Sequence, residues 1–400
     1  MLKRVGAFDQ IPENDILKRI ENLKTLISEK NIDCAIIVQN IDKFYFTGTM
    51  QKGTLVIPAD SEPLLFIEKG FERAKMETPL AITPIRNDRE MRHILNDRGV
   101  SLDMVGLELD VLPVSVFERM KKIIGFNNYI DIAQSIRELR SIKSSFEIEQ
   151  MKKSGQITSH VFAKGKDIIK EGVTELDIES AMVAEGRKIG HQGYLRMRGI
   201  NQEMMVSTVQ TGYTGTISTS VDGPITGAGV TPALPQGSSF QKVEKGIPIT
   251  VDYGGGYNGY ITDETRVFVA GKLHERFQKP YDTAKEIIED LISFAKQGID
   301  SREIYLRAEN IVRKAGLQEY FMGFKEGQVS FIGHGIGLEI NELPVITARH
   351  KTILKEGMIF AFEPKFVVHP YGAIGIEVDF IVRPNGLERV TGSSIDIVNV

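Results

Sequence analysis

The sequence has a single cysteine, Cys34, and no tryptophan among its 400 residues. One thiol excludes both an internal disulfide framework and a cysteine-based zinc site. No apolar run approaches the length of about 18 residues that a membrane-spanning helix needs. Residues 1–15 lack the apolar segment of a secretory leader, so we expect a cytoplasmic protein that interacts with no membrane.

A surplus of positive charge is also missing. The 49 lysines and arginines are outnumbered by 53 aspartates and glutamates, which leaves a net charge of −4. This balance argues against a broad nucleic-acid surface. The hydrophobic fraction of 42% and the charged fraction of 26% are typical of globular proteins. At about 150 residues per domain, the length predicts two or three domains.

Two domains are indicated by a change of pattern along the chain. Residues 1–135 alternate short apolar runs with helical patterns, which predicts an α/β domain. A charged, mainly helical stretch follows and places the boundary near 135–145. The second domain, 145–400, ends in strand-like segments.

Several local signals predict individual elements. Residues 12–30 show apolar positions at helical spacing, with Asn14 or Asp15 as the expected cap. Thr174, followed by an acid three residues later, predicts the start of another helix. Residues 207–246 are rich in Gly, Ser, Thr and Pro, which predicts a long loop. Two strand-like runs around a glycine turn then follow.

Four acids stand inside apolar, strand-like runs: Asp252, Asp263, Glu363 and Glu377. Strand interiors disfavour such residues, and a buried carboxylate needs a cation or hydrogen-bond donors. One such acid alone is most simply a strand end or a surface position. Four of them, together with a histidine in a glycine-rich frame, indicate a metal centre.

The histidine is His334, flanked by Gly333, Gly335 and Gly337 in SFIGHGIGLE. A lone histidine is more often structural than a ligand, but the glycines would let the ring approach a centre closely. Carboxylates with one imidazole suit Mn, Co, Fe or Zn. Two such ions sharing a water could polarise a carbonyl group.

The order of these motifs resembles the methionine aminopeptidase, prolidase and aminopeptidase P superfamily. VDYG is followed eleven residues later by TDETR, then by GHGIG, FEP and an acid before a terminal strand. The resemblance covers about 145–400 and implies the pita-bread fold. Residues 1–135 resemble the N-terminal domain of the creatinase and prolidase branch. The implied fold class is α/β (α+β), with a creatinase-like α/β domain before the catalytic domain.

The resemblance also implies a role for each candidate residue. Asp252 would chelate one metal, Asp263 and Glu377 would bridge two divalent ions, and His334 and Glu363 would bind the second. Glu363 would take a proton from the attacking water and pass it to the leaving amine. Thr265 would hold a metal-binding carboxylate. Relatives of this branch further imply a homodimer.

Three positions depart from the pattern that the resemblance implies. Gln236, in PALPQG, and Asn341, seven residues after His334, stand where histidines contact substrate. Gly375 stands where an arginine precedes the final ligand. Glutamine and asparagine donate hydrogen bonds but cannot carry a proton at neutral pH. Relative to the resembled superfamily, the metal-binding residues are therefore the same, whereas residues expected to contact the substrate differ.

Arg196 and Arg198 are a further candidate pair. They lie in a strand-like stretch, 191–205, where alternation would place them on one face. A surface or structural role and a clamp for a substrate carboxylate both remain open.

Three functions follow from these residues. The first is a dinuclear metal-dependent hydrolase of short peptides, resembling Xaa-Pro dipeptidase or aminopeptidase P. The second is a metalloenzyme of the same fold acting on a small amide, amidine or carboxylate, which the three departures favour. The third is a non-catalytic binding protein, which would not need bound metal.

Overall fold

The computed structural model describes residues 9–400, which form two compact units. The first unit extends to Arg140 and includes the segment Arg198–Gln202. The second comprises Ser141–Met197 and Glu203–Val400. Residues 1–8, on which part of the expectation about a leader rests, lie outside the described residues. Within 9–400, no helix combines the length and the apolar character needed to cross a bilayer.

The first unit is built on a mixed six-stranded sheet. Its helices are α1 (Glu13–Glu29), α2 (Asn40–Thr47), α3 (Phe71–Glu77), α4 (Asp88–Asp97), α5 (Val114–Ile124) and α6 (Ala133–Ser141). Its strands are β1 (Cys34–Ile37), β2 (Lys52–Pro58), β3 (Leu64–Lys69), β4 (Ile82–Pro84), β5 (Met104–Leu107) and β6 (Asn128–Asp131). The order across the sheet is β4-β3-β2-β1-β5-β6, with β1 antiparallel to β2 and parallel to β5.

The single cysteine lies in the core of this unit. Cys34, on β1, is fully buried with Ile36, Val56 and Phe66. Burial, reinforced by the charge of Asp33, raises the pKa of the Cys34 thiol to about 12. The residue is therefore part of the hydrophobic packing rather than a reactive thiol.

The first helix confirms its apolar pattern but not its predicted cap. Ile16, Ile20 and the other apolar positions of α1 are buried. The residue that precedes the helix is Pro12, which offers no side-chain cap, and Asn14 lies inside the first turn. The predicted cap is wrong because the fixed φ of proline already sets the chain direction at the helix start. By contrast, Thr174 does cap its helix, with Asp177 bonding back to complete a capping box.

The second unit combines helices with three small sheets. Its helices are α7 (Ser145–Ile168), α8 (Glu175–Lys188), α9 (Gln278–Phe294) and α10 (Ser301–Ala315). Its strands are β7 (Ser207–Thr211), β8 (Pro248–Tyr257), β9 (Tyr260–Val269), β10 (Gly333–Gly335), β11 (Glu342–Ile346), β12 (Ile359–Phe362), β13 (Lys365–Val368), β14 (Gly372–Gly375), β15 (Val378–Arg383), β16 (Gly386–Arg389) and β17 (Val398–Asn399). The sheets have the orders β17-β9-β8-β7, β11-β10-β12-β15-β16 and β13-β14.

A long hairpin of β8 and β9 brings the first two acids together. Asn258 and Gly259 form its turn with φ angles of 51° and 89°, the left-handed conformation that an Asn-Gly hairpin turn favours. The register pairs Asp252 with Thr265 and Gly254 with Asp263. Because side chains two residues apart share a face, Asp252, Asp263 and Thr265 project from the same side of the hairpin.

Some predicted elements differ from the structure. The stretch 191–205, predicted as a strand, forms neither helix nor strand, so alternation does not align Arg196 with Arg198. The predicted loop 207–246 begins with strand β7 and a 3₁₀ turn, Gly212–Thr216, before its irregular part. Antiparallel pairing of β7 with β8 supplies the hydrogen bonds that its polar sequence did not signal.

Candidate metal centre

Five side chains predicted as metal ligands line one cavity of about 100 Å³ in the second unit. They are Asp252 on β8, Asp263 on β9, His334 on β10, Glu363 after β12 and Glu377 before β15. Asp252 is half-buried and the other four are buried. Residues separated by up to 125 positions in sequence are thus gathered at one point.

Two breaks in the β structure position the glutamates. β12 ends at Phe362 and β13 begins at Lys365, which leaves Glu363 between them. Glu377 lies in the corresponding gap between β14 and β15. The Glu363 N–H donates to Ile332 O at 2.9 Å. Within the strand-like runs seen in the sequence, Glu363 and Glu377 thus stand where regular pairing stops.

His334 faces three carboxylates. Its Nε2 atom lies 3.9 Å from Asp263 Oδ2, 3.9 Å from Glu377 Oε1 and 4.0 Å from Glu363 Oε1. Its Nδ1 atom lies 3.1 Å from Gly335 O. A carbonyl oxygen only accepts, so this bond places the proton on Nδ1 and leaves the Nε2 lone pair directed at the carboxylates.

The glycines beside His334 serve strand packing. A Cβ atom at Gly333 would lie 2.4 Å from Ala361 O, and one at Gly335 would lie 2.1 Å from Leu343 O. Both oxygens belong to the main chain of neighbouring segments. The glycines therefore allow β10 to fit between its neighbours.

The donor set fits a divalent cation. Ligand atoms of Asp263, His334 and Glu377 all lie within 4.8 Å of one another, and all three residues are buried. Asp263 Oδ1 is buried with no hydrogen-bond partner among residues 9–400. Carboxylate oxygens with one imidazole match Mn, Fe, Co or Zn. An acceptor left unsatisfied inside the protein is costly unless a cation binds it.

The electrostatics of the site also favour a cation. Burial, followed by the charges of Glu377 and Asp252, raises the pKa of Asp263 well above its usual range. Burial raises the pKa of Glu377 to about 8, although Lys365 acts in the opposite direction. Positive charge at the centre stabilises the ionised carboxylates against burial and against their mutual repulsion.

Lys365, a residue that no sequence pattern indicated, extends its side chain among the carboxylates of the centre. Its Nζ atom lies 2.6 Å from Glu377 Oε2, 3.0 Å from Glu363 Oε2 and 3.1 Å from Asp252 Oδ2. Burial alone would lower the pKa of Lys365, but the surrounding carboxylates raise it well above its usual value. The side chain is therefore an ammonium ion inside the centre.

Thr265 binds two carboxylates of the centre, and Arg266 fixes the main chain at Glu377. Thr265 Oγ1 lies 3.0 Å from Asp252 Oδ2 and 2.9 Å from Glu377 Oε2, where it can donate to either. Arg266 donates through Nη1 to Glu377 O at 2.7 Å and through Nη2 to Glu264 at 2.9 Å. The run of polar residues in TDETR, inside an otherwise apolar strand, is the sequence signal for this support.

The predicted substrate residues divide into two groups. Gln236 and Asn341 line the same cavity as the four acids and the histidine, together with apolar side chains that include Met204 and Phe331. Arg196 and Arg198 are not among its lining residues. Arg196 donates to the Tyr194 hydroxyl at 2.7 Å.

Arg198 is placed in the first unit instead. It forms a paired contact with Asp110, at 2.6 and 2.9 Å, and a third bond to Asp42 Oδ2 at 2.7 Å. Arg140 binds the other oxygen of Asp42 at 2.6 Å. These ion pairs occupy the guanidinium of Arg198, which is therefore not available to bind a substrate carboxylate.

Comparison with known proteins matches both units. Residues 149–384 match the family described as metallopeptidase family M24, and residues 19–142 match the creatinase/prolidase N-terminal domain. The expected order of an α/β domain and a pita-bread domain is thereby confirmed. The Xaa-Pro dipeptidase of Pyrococcus furiosus is 26% identical over 384 residues, which cover 95% of this chain and 99% of that protein.

Solved structures show the same fold. The Xaa-Pro dipeptidase of Bacillus anthracis superposes with a TM-score of 0.82 at 24% identity, covering 96% of this chain and all of that one. The X-Pro aminopeptidase of Thermotoga maritima superposes with a TM-score of 0.78 at 24% identity, covering 93% and 99%.

Proposed function

The chain belongs to metallopeptidase family M24, and on that premise we propose that it hydrolyses short peptides at an Xaa-Pro bond. The observation that carries the proposal is the convergence of Asp263, His334, Glu363 and Glu377 on one cavity. The similarity to an Xaa-Pro dipeptidase along nearly the whole of both chains supports the choice of substrate.

Asp263, His334 and Glu377 would hold a divalent cation. When bound, such an ion supplies Lewis-acid chemistry that polarises a carbonyl group and makes water more acidic. The chain itself supplies the position of the donors and a site shielded by burial. His334 is kept in the required tautomer by its bond to Gly335.

Glu363 is the proposed proton acceptor. Its Oε2 atom is paired with Lys365, whereas Oε1 faces His334 across the cavity. Oε1 is therefore the oxygen that can take a proton from an attacking water and return it to the leaving amine. Gln236 and Asn341 would donate hydrogen bonds to the substrate amide or to the developing oxyanion.

A second candidate is hydrolysis of a small amide or amidine on the same fold. It is favoured by the neutral side chains of Gln236 and Asn341, where the resemblance implies histidines, and by the ammonium of Lys365 inside the centre. This alternative keeps the role of Glu363 but changes the substrate.

The test is turnover of an Xaa-Pro panel that contains dipeptides and longer peptides, with Mn²⁺ or Co²⁺ added. Turnover confined to dipeptides would support a dipeptidase, and turnover of longer peptides would indicate an aminopeptidase. Glu363→Gln keeps the shape of the side chain and should lower kcat by about 10²-fold or more while metal stays bound. A fully metallated wild-type protein that cleaves no peptide would favour the second candidate.

A further inference from the structure

Lys365 binds the centre in the manner of a cation. Its ammonium group has three N–H donors, and it lies within 3.1 Å of oxygens from Asp252, Glu363 and Glu377. These carboxylates come from three separate segments of the chain. An ammonium in this place neutralises charge among them without any metal ion.

The fold leaves room for this lysine at one residue. Gly375 on β14 pairs directly with Lys365 on β13. A Cβ atom at Gly375 would lie 2.6 Å from both Cα and Cγ of Lys365 and 2.8 Å from Pro364 O. Any larger residue at 375 would collide with the main chain of Pro364 and Lys365 as well as with the lysine side chain, so this strand pairing requires glycine.

Lys365 and a second metal ion would compete for the same oxygens. The sequence resemblance assigns Asp252 to a first ion and lets Glu377 bridge two ions. Here Asp252 Oδ2 and Glu377 Oε2 are both bound by Lys365 Nζ. The oxygens that face His334 are different ones: Asp263 Oδ2 and Glu377 Oε1. The centre is thus divided into an ammonium side and an imidazole side.

The balance of charge at the centre also argues against two metal ions beside Lys365. Four carboxylates carry at most four negative charges, which two divalent ions would already balance. The ammonium would add a fifth positive charge within hydrogen-bonding distance of the same oxygens. Like charges at such separations repel strongly inside a protein.

We infer that the centre binds one divalent cation per chain, at Asp263, His334 and Glu377, and that the Lys365 ammonium takes the place of a second. The inference rests on the proposed function in one respect only: both require that the centre binds a metal ion. It differs from the pair of ions that the resemblance implies.

The experiment counts bound metal. Chelator-treated wild-type protein is dialysed against Mn²⁺, and metal per chain is measured by mass spectrometry, with electron paramagnetic resonance to separate isolated from coupled ions. We expect one equivalent with the spectrum of an isolated ion. Lys365→Met, which removes the charge and keeps most of the volume, should bind two equivalents. Lys285→Met, which breaks a surface ion pair with Asp396, is the matched control and should still bind one.

Each outcome decides the inference. Two equivalents in the wild type would overturn it, and so would one equivalent in a folded Lys365→Met variant. If that variant does not fold, the wild-type count and spectrum decide alone. A single ion without Xaa-Pro turnover would contradict the peptidase proposal and support the single-ion inference. Two ions with Xaa-Pro turnover would support the peptidase proposal and overturn the inference. No bound metal would overturn both.

Discussion

Asp379 Oδ2 accepts a hydrogen bond from the backbone N–H of Asp263 at 2.9 Å. The bond joins β15 to β9 inside the second unit and ties down the main chain at Asp263. Asp379 is fully buried, and burial together with Glu264 raises the pKa of its carboxyl well above the usual range. A carboxyl group that does not line the cavity thus fixes one that does.

Asp263→Asn should remove most of the bound metal. The substitution deletes a negative charge and an anionic ligand oxygen, so we expect a loss of affinity for Mn²⁺ of at least about tenfold, because even loss of a residue that only orients a ligand typically costs about that much. Isothermal titration calorimetry would measure it. Asp379→Asn is the matched control, because its amide oxygen can still accept the bond from Asp263. Equal affinity in the two variants would contradict the assignment of Asp263 as a ligand.

Gln236→His combined with Asn341→His should raise kcat/KM for Xaa-Pro substrates by at least about tenfold, since imidazole can carry a proton or a charge where the amides cannot. Both positions line the cavity. The control joins Gln297→His to Asn127→His, the same two changes at exposed positions away from it. Unchanged turnover in a variant that keeps its metal would indicate that the cavity no longer accepts a peptide.

Lys43→Met should change how stability depends on pH. Lys43 is 1% exposed, and burial lowers its pKa to about 8, against the opposing charges of Glu108 and Glu68. Between about pH 8 and 10.5 the unfolded state binds more protons, so the lysine makes wild-type stability rise with pH across this window. The variant lacks this rise.

The stability of wild type relative to the variant should therefore rise by up to roughly 3 kcal/mol between pH 7 and 10.5. Urea unfolding followed by circular dichroism measures the difference at each pH. Exposed Lys18→Met should follow the wild-type trend. A difference that stays constant with pH would show that burial does not lower the pKa of Lys43.

The candidate ligands could be found from sequence because their surroundings conflict with their chemistry. Asp263 stands in a strand whose ten residues are all buried, and a buried carboxylate is costly unless a cation or hydrogen-bond donors bind it. The order of the motifs indicated the family, and the match of residues 149–384 to metallopeptidase family M24 confirmed it. Sequence alone did not show that Glu363 and Glu377 interrupt their strands, because apolar residues continue on both sides of each break.

Lys365 could not be predicted by the same reasoning. In FEPKFVV the lysine occupies an alternating position, where a strand usually presents a charged residue to solvent. Lys365 is buried because its ammonium group binds Asp252, which lies 113 residues earlier in the chain, and because Gly375 has no side chain to collide with it. The sequence shows that Gly375 departs from the arginine of the resembled family. It does not show that Gly375 pairs with Lys365, because that pairing exists only in the folded strands.

The burial of Cys34 gives the chain a practical property. With its only thiol enclosed in the first unit and its pKa raised to about 12, the folded protein should be almost inert towards maleimides and iodoacetamides at neutral pH. A cysteine introduced at Asp222, which is exposed and lines the cavity, would then be the single position to take up a dye. The natural sequence is in effect already prepared for fluorescence reporting of ligand entry, without removal of a native cysteine.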